Sequence, residues 1–336
     1  MPATVVNEKQ DYLRLVAFWV VCEAFAGGII HAIKLPFSGM IISSLAVFCI
    51  VMIGKYFPKK GNIIKATILV CIFKLMLSPH SPPTAYIAVL FQGLAGELLF
   101  RLKLRLRIAS MLLAFLALVE SAIQRILVLW ILYGSKFWDA VDKYLEKFSG
   151  SGSAGSLPAK IALGYIILHA ITGLGVGYYI SVLANNAKGN HFISTSDQHN
   201  VELKLPLKKR GRKKIKWTFV ILWLVMASLL VYGYAFPSAA VISGKSALWV
   251  IFRAATIVMV WYYLISPLLM AWFRKKMESS KGRNMESFQI IHSLLPSTQK
   301  IFYESWNASS NKTGLKRLHK FLQLLTAGMV PTTTQQ

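Results

Sequence analysis

"IASMLLAFLALVESAIQRILVLWILY", residues 108–133, decides what kind of protein this is. The run is apolar almost throughout. A bilayer core about 30 Å thick asks for roughly 20 such residues in one spanning helix. The stretch just before it, "RLKLRLR" at 101–107, alternates charge and leucine. At the rim of two helices its leucines lie in lipid while the basic heads snorkel to the phosphates. The chain as a whole agrees: 55% of its 336 residues are apolar and only 15% are charged, against roughly 25% in an ordinary soluble domain.

Working outward, the hydropathy pattern predicts eight spans, at 13–33, 37–53, 63–77, 84–100, 108–133, 160–184, 217–236 and 247–273. The third is the shortest. The charge balance is lopsided, with 38 Lys plus Arg against 13 Asp plus Glu, or +25. In a soluble chain that would suggest nucleic acid. Here the basic residues fall in alternate connections, which is the pattern that sets membrane orientation. One set holds Lys55, Lys59 and Lys60; then Arg101, Lys103, Arg105 and Arg107; then nine Lys or Arg in 185–216; then Arg274, Lys275 and Lys276. The other set holds Lys34 alone, none in 78–83, Lys245 alone in 237–246, and three Lys in 134–159 that Asp139, Asp142 and Glu146 balance. The expectation is an all-α, multi-pass helix bundle of a cell (inner) membrane, with both termini cytoplasmic and no nucleic-acid partner.

The sharpest shift in composition divides this chain into modules. Residues 1–185 form a six-helix membrane bundle, 186–216 a basic cytoplasmic linker, 217–273 two further spans, and 274–336 a cytoplasmic helical tail. "KKRGRKK" within the linker reads as a stop-transfer anchor before the seventh span, with a nucleic-acid or acidic-lipid patch as the other use of such a run. Apolar residues in the tail recur at helical spacing at Phe288, Ile291, His292 and Leu295. Residues 137–148, "FWDAVDKYLEKF", read as a short surface helix, and "SGSGSAGS" at 149–156 as a flexible linker behind it.

Several chemistries find no support. Cys22, Cys49 and Cys71 each lie inside an apolar run, without CxxC spacing or a Cys-His cluster, so neither a disulfide framework nor a metal site is expected. "AAVISGKS" at 239–246 falls short of a phosphate-binding loop because Ala239 stands where the pattern wants glycine. The polar N-terminus does not resemble a cleavable signal. No Ser-His-Asp cluster, HExxH or credible carboxylate pair occurs, and no cofactor is expected. An enzyme is not required.

Ionisable side chains at membrane depth are costly and so become candidates for function. Glu23 stands midway along the first span, Gln92 near the middle of the fourth, Glu120 with Gln124 and Arg125 in the fifth, and His169 in the sixth. Lys74 lies near the outer end of the third span. Glu97 and Arg101 are four apart and explain each other as an interfacial pair. Glu23 and His169 lack a same-helix partner of opposite charge and must find one elsewhere, including each other. Gly173 and Gly177 have the GxxxG spacing of close helix packing. With Ala24, Gly28, Gly93 and Gly96 they predict that the first, fourth and sixth spans share one interior.

"SPHSPPTAYIAVLFQGLAGELLF", residues 78–100, resembles the third-to-fourth-helix region of the substrate-binding (S) components of energy-coupling factor transporters, bacterial importers of vitamins and metals. The likeness extends over about residues 10–185. It implies a membrane-embedded bundle that takes a small-molecule solute from outside, while a separate transmembrane coupling protein and ATP-binding cassette ATPases drive uptake. On this view His80 stands at the outer mouth and Gln92 two to three turns below it, with Glu23, Glu120 and His169 as further substrate contacts. The chain departs from the family by adding two spans and a basic tail. Of the coupling protein's Ala-Arg-Gly-type motif it has only Gly282-Arg283, so the tail reads either as a reduced coupling module or as something else.

The expected function is therefore a membrane subunit of a vitamin-like solute importer, itself no enzyme, with membrane lipid as a further partner. Two alternatives stay open: a membrane-embedded or lipid-modifying enzyme using His169 or Glu120, and a non-catalytic scaffold working through its basic loops.

Overall fold

The computed structural model describes residues 3–26, 37–78, 81–133, 157–187, 247–269, 271–272 and 283–330, with residues 221, 224, 225, 228 and 232 between them. Among the described residues every regular element is a helix. In chain order these are α1 (Ala3–Val21), which continues as a π-turn over Cys22–Ala26, α2 (Ser38–Tyr56), α3 (Asn62–Leu77), α4 (Pro83–Arg101), α5 (Leu106–Tyr133), α6 (Leu157–Asn186), α7 (Ala247–Met259), which continues as a π-turn over Val260–Ile265, α8 (Arg283–Ala308) and α9 (Gly314–Met329).

Four of these are long and apolar enough to cross a membrane: Ser38–Tyr56, Pro83–Arg101, Leu106–Ile131 and Ala159–Asn186. They coincide within a few residues with the second, fourth, fifth and sixth expected spans. The third expected span is α3, a helix of 16 residues, short of the roughly 20 that a straight crossing needs. The seventh span, the 137–148 surface helix and its linker, the basic linker's "KKRGRKK" and the near-miss phosphate loop lie outside the described residues, apart from the scattered positions named above.

The chain divides into two compact units. The first comprises residues 1–123, 164–199 and 270–336, and so takes in α1 to α4, most of α5 and α6, and the C-terminal pair α8 and α9. The second comprises 124–163 and 200–269; its main described element is α7, a shorter apolar helix.

In the first unit α1 is the central helix. Leu13 and the whole run Leu15–Cys22 are buried. A helix that is apolar all round needs cover all round, and here α2, α3 and above all α8 supply it. The sequence places α8 in a tail beyond the membrane bundle. In the structure Phe288, Ile291, Leu295, Thr298 and Ile301 recur every three or four residues and are all buried. That stripe closes over α1, and Phe288 stacks on Phe73 of α3 with ring centroids 4.3 Å apart. By contrast α5 and α6 carry many exposed large apolar side chains, among them Leu112, Leu116, Ile161 and Ile171, as expected of helices facing lipid.

Glycine sets several of the helix contacts. A Cβ on Gly173 would lie 2.8 Å from the carbonyl oxygen of Ala114, and one on Gly177 would strike that of Ser110. The GxxxG face therefore packs on α5. Gly93 instead meets Thr67 of α3, and Gly96 meets Ile50 of α2 and Leu113 of α5. The expectation that the glycines draw the first, fourth and sixth spans into one interior is corrected: small residues license close approach but do not choose the neighbour.

Candidate functional site

Polar chemistry inside the first unit gathers at three places. The first is an ion pair. Lys74 Nζ donates to Glu23 Oε2 at 2.5 Å, and the two residues are 5% and 3% exposed. Glu23 belongs to the π-turn that continues α1, and Lys74 to the last turn of α3. π-turns inside helices cluster at functional positions. Removing two charges from water costs several kcal/mol each unless they meet, so each residue requires the other. All three cysteines are free and buried.

The second place is Gln92 on α4. The residue is 2% exposed. Its Nε2 donates to Ser43 Oγ of α2 at 3.1 Å, and its Oε1 has no hydrogen-bond partner among the described residues. A buried carbonyl without a donor is uncommon and asks for an explanation. Next to it, Gly93 admits the Thr67 side chain, whose hydroxyl donates back to Ile63 O at 2.7 Å.

The third place lies where α4 ends. Glu97 accepts from the backbone N–H of Gly61 at 2.6 Å and of Ile64 at 3.4 Å, and from Arg101 Nε at 2.9 Å. It thereby caps the first turn of α3, whose N-terminal N–H groups have no partner within the helix. Gly61 has φ +84°, a left-handed value that glycine adopts without steric cost. The Glu97–Arg101 pair is the one expected from spacing. The cap is additional, and it assigns Glu97 a structural role.

The remaining candidates separate from these. His169 is buried; its Nδ1 donates to Tyr165 O at 2.9 Å, and its ring lies tilted on that of Tyr165. The partner Glu23 finds is Lys74, not His169. Glu120 is partly buried on α5. His80 lies outside the described residues. Ser43 went unnoticed in the sequence, because a hydroxyl that can also satisfy itself within its own helix gives no signal of its own. Lys74 and Glu23 stood out separately, but the 51 positions between them hid the pairing.

No group of three or more His, Cys, Asp or Glu suited to a metal ion occurs among the described residues. The arrangement suits recognition: a fixed amide with an open acceptor, a hydroxyl beside it and a buried salt bridge in one helical unit. Comparison with protein-family models, with curated proteins and with solved structures finds no match.

Proposed function

We propose that the chain is a membrane-embedded, solute-binding subunit of an importer, which captures a small polar molecule from the outer side and depends on a separate coupling protein and ATPases for uptake. The observation that carries this reading is Gln92. Its amide is buried among apolar helices and its Oε1 is left open. An O–H or N–H donor on a solute would satisfy that oxygen, and the Ser43 hydroxyl offers a second polar contact beside it. Binding sites of this kind are apolar clefts with a few convergent polar groups.

Four helices long and apolar enough to cross a membrane support the setting. The finer topology, eight spans with both termini in the cytoplasm of a cell-membrane protein, is proposed from the alternation of basic and basic-poor connections. The loop that begins α4 supports entry from outside. Pro82 and Pro83 hold it stiff at the start of the helix, and no basic residue falls in 78–83.

The test is mass spectrometry of small molecules that stay with the detergent-purified protein. The expected result is one dominant polar compound that is lost in Gln92→Ala while the variant remains folded. Phospholipid alone, unchanged by the substitution, overturns the reading.

A further inference from the structure

We propose that α9, with the adjoining end of α8, is a docking surface for an anionic phospholipid bilayer. On this reading Lys316 and Lys320 meet lipid phosphates, and Leu315 seats itself at the headgroup boundary. The inference does not rest on the importer reading.

α9 has two sides. Phe321, Leu325 and Met329 are buried in the core of the first unit. Leu315, Lys316, His319 and Lys320 are exposed, and Leu315 is 84% open. α9 is not among the helices able to cross a membrane. A helix with one anchored face, lysines on the other and a leucine left in the open has the composition of an interfacial helix. From Ser305 to Gln336 the chain contains no Asp or Glu, so no acidic side chain nearby in sequence neutralises Lys312, Lys316 and Lys320.

The end of α8 completes the surface. Trp306 lies under the Arg317 guanidinium, 4.2 Å from carbon to ring centroid, and edge-on to Phe321 at 5.5 Å. It still exposes 43% of its surface. Tryptophan held in this way, apolar on one side and polar on the other, favours the membrane–water boundary.

Two observations select lipid over another polyanion. An exposed leucine gains from a hydrocarbon boundary, which a nucleic acid does not offer. In addition, His319 ties α9 to a membrane-crossing helix. Its Nε2 accepts from Gln323 Nε2 at 2.8 Å, which leaves Nδ1–H to donate to Tyr179 Oη of α6 at 2.5 Å. Tyr179 lies about two turns before the end of α6, where a spanning helix leaves the hydrocarbon.

The experiment places a nitroxide on Leu315→Cys in the full-length protein. The native cysteines are buried; a sample without the substitution reports any background labelling. Proteoliposomes are prepared from phosphatidylcholine alone and from phosphatidylcholine with phosphatidylglycerol. In the anionic vesicles the label should collide several-fold less often with a water-soluble nickel chelate, and more often with oxygen, than in detergent. The combined variant Lys316→Gln, Lys320→Gln should abolish the difference between the two lipid mixtures. Equal chelate access in detergent and in both vesicle types overturns the proposal, as does protection that is indifferent to phosphatidylglycerol.

Discussion

Lys74 and Glu23 meet at 2.5 Å in the interior of the first unit, one on α3 and the other on the π-turn after α1. The contact joins two helices where both side chains are almost fully buried. Lys74→Met leaves Glu23 buried without its cation and should cost about 3–5 kcal/mol. The double variant Lys74→Met, Glu23→Gln removes both charges and should recover most of that loss. Thermal unfolding of the detergent-solubilised proteins checks this. Additive losses in the double variant would show that the pair is not coupled.

Glu97 and Arg101 should respond unequally. Glu97→Ala strips the backbone N–H groups of Gly61, just before α3, and of Ile64, in its first turn, of their acceptor and should cost about 1–3 kcal/mol. The Arg101 side chain is half exposed, so Arg101→Ala should cost less than about 1 kcal/mol. Chemical-denaturation midpoints of the two variants give the ordering directly, and equal losses would contradict the capping role.

Gly177 faces the backbone of α5 with no room for a Cβ. Gly177→Ala should force α5 and α6 apart and cost about 1–3 kcal/mol. Gly175, two residues earlier, has nothing within 4 Å of its added Cβ, so Gly175→Ala is the control and should be neutral or slightly stabilising. A comparison of melting temperatures decides the matter.

Cys22, Cys49 and Cys71 should resist a bulky maleimide in the folded protein and react only after denaturation, because buried thiols are shielded from reagent. Mass spectrometry counts the adducts. Rapid labelling of any one of them under native conditions would mean that the helices around α1 open.

Binding at Gln92 should separate from folding. Ser43→Ala removes the hydroxyl that holds the Gln92 amide and should weaken retention of a co-purifying solute several-fold, with less effect than Gln92→Ala. Unaltered retention in both would leave Gln92 as a structural residue of the α2–α4 contact.

The sequence by itself determined the local features: four helices of membrane-crossing length, the Glu97–Arg101 pair, a close-packing face at Gly173 and Gly177, and the helical stripe Phe288, Ile291 and Leu295. Each is a matter of spacing along one helix, which the backbone repeat fixes wherever the helix goes. Tertiary structure alone decided what each face meets. The run Leu15–Val21 is apolar on every side, which suits lipid and protein equally; burial by α2, α3 and α8 made it core. Residues 283–308 read as a separate tail because chain order gives no sign that a segment so distant returns to cover α1. The partners of Glu23 and Gln92, Lys74 and Ser43, lie 51 and 49 positions away. A hydrogen bond acts through space over about 3 Å, and no periodicity in the chain records which distant residues folding brings that close.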